Sequence, residues 1–247
     1  MPEVVVEGMT WDAYLRWMRT HWAQGEHIAT IGPTGEGKST ATTRLIAATR
    51  RYAVALDVKA GDDTLLAAVG TGKWQVIQQW PPPRAIQRQI EDHRPTRLIV
   101  SPRARKLSEA SSIVEVHRRV VDDAYEAGSW TLLVDEAKAL TGRARGDANM
   151  EQELASLLIL ARGRKLSVVS SMQGPRRVMT EAFTQCRHFL IFAAGDDVVI
   201  QRVAEIISRN WHDLKAVMAG LDPYWCIAAT RRPRDPLRLI HAPPYPS

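Results

Sequence analysis

The sequence predicts a single α/β domain: a mostly parallel central sheet with helices on both faces. Two patterns and one bulk property predict it. Short apolar, β-rich runs alternate with helix-period patterns along nearly the whole chain, as strands joined by crossover helices do. A glycine-rich turn stands between the first strong strand and a helix, the arrangement of a phosphate-binding βα unit. The 247 residues, 45% apolar and 24% charged, have ordinary globular composition and suffice for one large domain. No internal repeat, low-complexity tract or long linker divides them.

Taken in order, a short strand is expected at 4–6, followed by a helix with Thr10 at its N-cap. Trp11, Leu15, Met18 and Trp22 recur at helical spacing and make one apolar face, and Gly25 ends the helix. Residues 1–26 are therefore expected to pack on a core domain spanning 27–241, with 242–247 a flexible tail. The first core strand, 27–31, runs into the glycine-rich turn. Further strands are expected at 53–58, 74–78, 98–101, 131–135, 168–171, 189–192 and 225–228, with one more after the Pro-rich turn that carries Arg231, Arg232 and Arg234. Helices are expected near 85–93 and over 108–127, the latter closed by Gly128. Another starts at Asn149, with Gln152 as the capping-box partner and Leu154, Leu157, Leu158 and Ala161 as its buried stripe. Two more cover 198–207 and 212–219.

The 33 Lys and Arg outnumber the 27 Asp and Glu, giving a net charge of +6 and a pI near 9.6. Arginine supplies 26 of the 33, and its planar fork suits phosphate. A basic balance suits a polyanionic partner, though alone it speaks only to solubility and non-specific binding. Two cysteines, Cys186 and Cys226, cannot build a disulfide framework, which predicts a reducing compartment. No apolar run approaches 18 residues, and the N-terminus lacks a basic-then-apolar layout. The expectation is a soluble cytoplasmic protein with no membrane partner. The histidines and cysteines show no metal-ligand spacing, so Mg²⁺ is the one metal expected.

The strongest motif is Gly32-Pro33-Thr34-Gly35-Glu36-Gly37-Lys38-Ser39, which fits G-x-x-x-x-G-K-[ST]. Phosphate oxygens need several converging backbone N–H donors, and a glycine-rich turn brings the backbone close enough. The helix behind the turn adds its positive end. Gly32 to Thr40 are thus the expected ATP-binding residues. Lys38 reaches the β- and γ-phosphates and the Ser39 hydroxyl ligates Mg²⁺. Leu132-Leu133-Val134-Asp135-Glu136 is a buried strand ending in two acids. An acid at the carboxyl end of a neighbouring parallel strand faces the ligand crevice of an open α/β sheet. Asp135 is then the carboxylate that organises Mg²⁺. Glu136 is placed to orient and deprotonate the water that attacks the γ-phosphate. A small-molecule kinase needs no such glutamate, so the pair favours hydrolysis. Together these make the domain a P-loop NTPase of RecA/ASCE-like type.

Several further stretches, between about His27 and Ser208, resemble the HerA/FtsK superfamily of DNA-pumping ATPases. Asp57-Val58-Lys59-Ala60-Gly61-Asp62 looks like that superfamily's D-x-K-x-x-D segment, although Asp57 and Lys59 also read as a structural pair at a strand end. Ala161-Arg162-Gly163-Arg164-Lys165, then a strand and Met172-Gln173, resembles its RxGRK…(T/S)xQRP region. Here Gly174-Pro175-Arg176-Arg177 replaces the Gln-Arg-Pro order. The resemblance implies that Gln173 senses the γ-phosphate or places the water, since an amide both donates and accepts without titrating. It implies that Arg162 or Arg164 is an arginine finger reaching a neighbouring subunit's site. Each of these arginines also reads as a helix C-terminal charge. Cellular FtsK and conjugative coupling proteins carry membrane helices, and HerA carries a barrel before its P-loop, whereas 31 residues precede Gly32. A bare motor domain looks most like the compact viral genome-packaging ATPases. Those form homomeric rings, pentamers or hexamers, on a portal or capsid vertex; such a protein works in the host cytoplasm and transiently on a procapsid.

A translocating ring needs cations that grip phosphates without reading sequence. Two loops qualify: Arg143 and Arg145 in the glycine-flanked segment after Glu136, and Arg103, Arg105 and Lys106 after the 98–101 strand. Both also read as solvated loops. A closely related alternative is a plasmid-transfer or chromosome-processing pump of the same superfamily; the readings from other classes are an ATP-dependent switch that does not pump and a small-molecule kinase.

Overall fold

The structure, a computed structural model, describes residues 5–58, 61–81, 83–92, 94–103, 110–135, 150–172, 184–193 and 196–242. Their elements run β1 (Val6–Met9), α1 (Trp11–His21), β2 (His27–Ile31), α2 (Lys38–Thr49), β3 (Tyr52–Leu56), α3 (Asp63–Ala67), β4 (Gln75–Ile77), α4 (Pro83–Glu91), β5 (Thr96–Val100) and α5 (Ala110–Ala127). Then come β6 (Thr131–Val134), α6 (Glu151–Leu160), β7 (Ser167–Met172), β8 (Cys186–Phe192), α7 (Asp197–Ile206), α8 (Trp211–Ala219), β9 (Trp225–Thr230) and β10 (Leu237–His241).

The described strands form one sheet in the order β1-β10-β9-β8-β2-β7-β6-β3-β5-β4. From β8 to β4 every pair is parallel. Among the described strands β9 alone runs against the rest, pairing antiparallel with β8 and β10. This is the expected α/β class, mostly parallel with helices on both faces. Both faces are covered because the strands are apolar at consecutive positions, and the period of two splits those positions between two cores. Ala29 and Ile31 of β2, Leu132 and Val134 of β6, and Phe189 and Ile191 of β8 meet α5, α6, α7 and α8. Ile28, Leu133, Leu190 and Phe192 meet α1, α2 and α3 on the other side. Cys186 is buried in the first core and Cys226 in the second, and neither forms a disulfide.

The differences from expectation have identifiable causes. β1 lies at 6–9 rather than 4–6 because pairing with β10, Val6 opposite Leu237, sets its register. On α1 the fully buried positions are Tyr14 and Met18, with Trp22 buried at the C-cap, while Trp11 and Leu15 are half-buried, so the seam is rotated toward Tyr14. The five-residue α3, capped by Asp62, is too short for periodicity to reveal. α6 begins at Glu151 with no side-chain cap from Met150; Asn149 lies outside the described residues. Its stripe Leu154, Leu157, Leu158 and Ala161 is buried as expected. Ala242, where the tail was expected to begin, is buried and donates its N–H to the Tyr224 carbonyl at 2.8 Å.

At the amino-terminal edge of the parallel strands lies a buried polar cluster. Glu26 pairs with Arg187, and one of its carboxylate oxygens lies 3.1 Å from His188 Nε2. His27 Nε2 lies 3.2 Å from the Leu158 carbonyl, and its Nδ1 accepts the Val168 N–H at 3.0 Å. Burial holds the His27 pKa down at about 4. Burial alone would raise Glu26, but hydrogen bonds from His188 and the Ala23 N–H, with the Arg187 charge, outweigh it and bring the carboxyl to about 2. Both shifts make acid destabilising. Between pH 6.5 and 4 the unfolded chain binds a proton at His27 that the folded chain refuses, a loss of about 3 kcal/mol. The stability that Glu26 contributes above its ordinary 4.5 is lost as pH falls toward 2. The urea midpoint is expected to fall steadily from pH 7 to pH 4. His27→Gln, which keeps a donor and an acceptor but does not titrate, should flatten that slope. An unchanged slope in the variant would assign the acid sensitivity elsewhere.

Candidate nucleotide site

The site forms at the carboxyl edge of the sheet, where β2 ends. All five β2 residues are buried, and the last ladder bond to β7 is the Gly32 N–H donated to the Met172 carbonyl at 3.2 Å. Gly32 has φ +150°, and a Cβ there would lie 2.6 Å from the Phe192 Cβ on β8. The chain turns between two flanking strands too close for any larger residue. Gly37, at φ +87°, is the N-cap of α2 and supplies no side-chain cap. The first-turn N–H groups of a helix have no partners within it, so α2 presents them at the turn with its positive end. Lys38 Nζ donates to the Pro33 carbonyl at 2.5 Å, folding back over the loop. Pro33, Thr34, Gly35 and Glu36 complete the loop between Gly32 and Gly37, and Thr40 is buried on the first turn of α2.

Asp135 follows β6 directly and is almost fully buried. The sheet order puts β6 two strands from β2, with β7 between. Across that gap the Ser39 hydroxyl donates to Asp135 Oδ2 at 2.7 Å, joining residues 96 positions apart. A hydroxyl and a carboxylate, both hard oxygen donors, converge beside the glycine-rich turn, and this donor set fits Mg²⁺.

Asp57 leaves β3 one step beyond Leu56, which pairs with Val134, so Asp57 and Asp135 emerge from adjacent strands at the same level. The Asp57 carboxylate accepts from the Gly61 N–H at 2.7 Å, the Asp62 N–H at 3.3 Å and the Ser101 hydroxyl at 2.7 Å. Asp62 in turn caps α3 through Thr64 and Leu65. Among the described residues these two acids of the 57–62 segment hold loops in place; Lys59 lies outside them. Arg103 stands exposed on the same carboxyl edge, after β5. Arg162 and Arg164 lie in a 3-10 turn before β7, both exposed, at the opposite edge from this chain's own phosphate loop. Arg164 also lies 5.5 Å from the Tyr125 ring centroid. Glu136, Gln173, Arg143, Arg145, Arg105 and Lys106 lie outside the described residues. Sequence reading missed Tyr224, whose ring lies against Gly37: a Cβ on that glycine would sit 2.8 Å from Tyr224 Cδ1. Nothing in the local sequence signals it, because β9 brings it there from the far side of β8.

No protein-family model matches the sequence, and neither does any curated protein. Solved structures do match. The DNA-packaging ATPase B204 of Sulfolobus turreted icosahedral virus is 13% identical, with a TM-score of 0.58 over 90% of this chain and 99% of that one. The genome-packaging NTPase B204 of Sulfolobus turreted icosahedral virus 2, in complex with AMPPCP, is 13% identical, with a TM-score of 0.54 over 89% and 98%. VirB4 of Thermoanaerobacter pseudethanolicus is 9% identical, with a TM-score of 0.56 over 89% and 90%. The chain has the fold of these proteins, which is the fold its HerA/FtsK-like motifs imply. Among the described residues no helix is long and apolar enough to cross a membrane.

Proposed function

We propose that the chain is an ATP-driven translocase of double-stranded DNA, a viral genome-packaging motor that works as a homomeric ring on a portal or capsid vertex. The observation that supports it most is the Ser39–Asp135 contact, which joins a phosphate loop to a strand-end carboxylate. The fold around that contact is shared with packaging NTPases over nearly their whole length.

On this reading the N–H groups of Thr34 to Gly37 and the first turn of α2 wrap the β- and γ-phosphates of ATP. Lys38 leaves the Pro33 carbonyl to meet them. Ser39 and Asp135 would hold Mg²⁺, which when bound neutralises charge on the β- and γ-phosphate oxygens. Glu136, next in the chain to Asp135, takes a proton from the attacking water as that oxygen bonds to the γ-phosphorus and the bond to the bridging oxygen breaks. Gln173 places the water. Arg162 or Arg164 serves a neighbouring subunit's site, a role that suits arginines exposed at the edge away from their own phosphate loop. Arg143 and Arg145, with Arg103, Arg105 and Lys106, grip DNA phosphates.

The test is steady-state ATP hydrolysis with and without long double-stranded DNA, over a range of protein concentrations. A DNA-dependent rate that rises cooperatively with protein is expected, and neutralising Arg143 and Arg145 together should cut the DNA-stimulated rate several-fold. A low rate indifferent to DNA, to concentration and to a portal-like partner would instead favour an ATP-dependent switch. A plasmid-transfer or chromosome-processing pump would give the same rates and differ in the partner the ring docks on.

A further inference from the structure

Tyr224 combines three features that packing alone does not require together. It has φ +68°, in the left-handed region that costs energy in any residue with a Cβ. That backbone is pinned: the Tyr224 carbonyl accepts the Ala242 N–H at 2.8 Å, and the Trp225 N–H bonds the Asp222 carbonyl at 3.1 Å. The ring, only half-buried, is delivered onto the backbone of Gly37, the residue that starts the phosphate-binding helix. A strained, pinned residue that holds an aromatic ring against a ligand loop points to a ligand contact.

The sheet order says which part of the ligand. Asp135 follows β6, two strands from β2 on one side; Tyr224 precedes β9, two strands from β2 on the other. Because β9 is antiparallel to β8, with Cys226 opposite Phe192, its beginning lies at the same edge as the end of β2. A triphosphate whose γ-phosphate lies toward Asp135 and Ser39 leads its nucleoside away from them, past Gly37, to the Tyr224 side. We infer that Tyr224 is the base-side wall of the nucleotide site, its ring packing on the aromatic base of a nucleoside triphosphate. This rests on the ATP-binding reading above and adds to it the residue that distinguishes a nucleotide from a bare polyphosphate. An aromatic face recognises a base by stacking and is worth about tenfold or more in affinity.

The experiment compares calorimetric binding of ATPγS and of inorganic tripolyphosphate, each with Mg²⁺, to the full chain and to Tyr224→Ala and Tyr224→Phe. Tyr224→Ala is expected to lose about tenfold in ATPγS affinity and to bind tripolyphosphate as the wild type does, while Tyr224→Phe binds both normally. An equal loss for both ligands would mean that the ring only supports the loop, and no loss for ATPγS would mean that it touches no base; either overturns the inference. Should Tyr224→Ala not fold, photolabelling of the wild type with 8-azido-ATP decides. Label within residues 222–226 supports the assignment, and label confined elsewhere overturns it. Failure of the ATP-binding reading looks different, since the wild type would then bind neither ligand.

Discussion

Glu136→Gln is expected to bind ATP as the wild type does and to turn it over about 10²- to 10⁴-fold more slowly, the usual contribution of a positioned general base. The expectation comes from chain adjacency. Asp135 is fixed beside the glycine-rich loop by its bond from Ser39, and Glu136 is the next residue in the chain. Glutamine keeps the size and can still hydrogen-bond a water, but it cannot take the proton. Two measurements check it: single-turnover hydrolysis, and equilibrium binding of ATP to the variant. Turnover within a few-fold of wild type would remove Glu136 from the mechanism. Loss of binding would mean that it shapes the pocket instead.

Asp57→Ala should produce the largest loss of stability among single substitutions at this edge, about 3 kcal/mol. The carboxylate is fully buried and accepts from two backbone N–H groups and one hydroxyl. Hydrogen bonds to a charged acceptor are worth about 1.5–3 kcal/mol each, and removing the acceptor leaves buried donors unsatisfied. Some of that loss is recovered where the loop at Gly61 relaxes into water, which brings the sum down. For a domain of this size 3 kcal/mol corresponds to a melting temperature lower by about 10 °C. Calorimetry reads this directly. Asp57→Asn, which keeps one acceptor oxygen, should lose about half as much. If Asp57→Ala melted normally but failed to hydrolyse ATP, the residue would belong to the chemistry and not to the scaffold.

The glycine-rich turn between β2 and α2 was legible in the sequence because its signal is local. Gly32, Gly37, Lys38 and Ser39 must stand at fixed spacing for one turn to wrap a phosphate, and that spacing survives in one dimension. Strand-end acids are nearly as legible, since a buried apolar run stopping at Asp135 defines an edge. The 57–62 segment was less so. Its acids matched a functional pattern, yet the described geometry spends Asp57 on Gly61, Asp62 and Ser101. Which of those partners an acid will find depends on β5 lying beside β3, and neighbouring residues do not encode that. Arg162 and Arg164 illustrate the same point: sequence offers two equivalent arginines, and only the fold puts both at the edge away from their own phosphate loop.

By itself, then, the sequence determined the α/β class, the two-sided burial of the strands, the glycine-rich turn between β2 and α2 and the strand-end carboxylate that meets it. All of these follow from hydrophobic period and short-range spacing. Tertiary structure alone decided the order of the strands, the antiparallel placement of β9 and hence the arrival of Tyr224 at Gly37. It also decided the burial of His27 and His188 beside Glu26 and the register of β1. The physical reason is that strand order is chosen by the joint packing of two helical layers on a twisted sheet. That is a global sum of many weak contacts, which no local run of residues specifies.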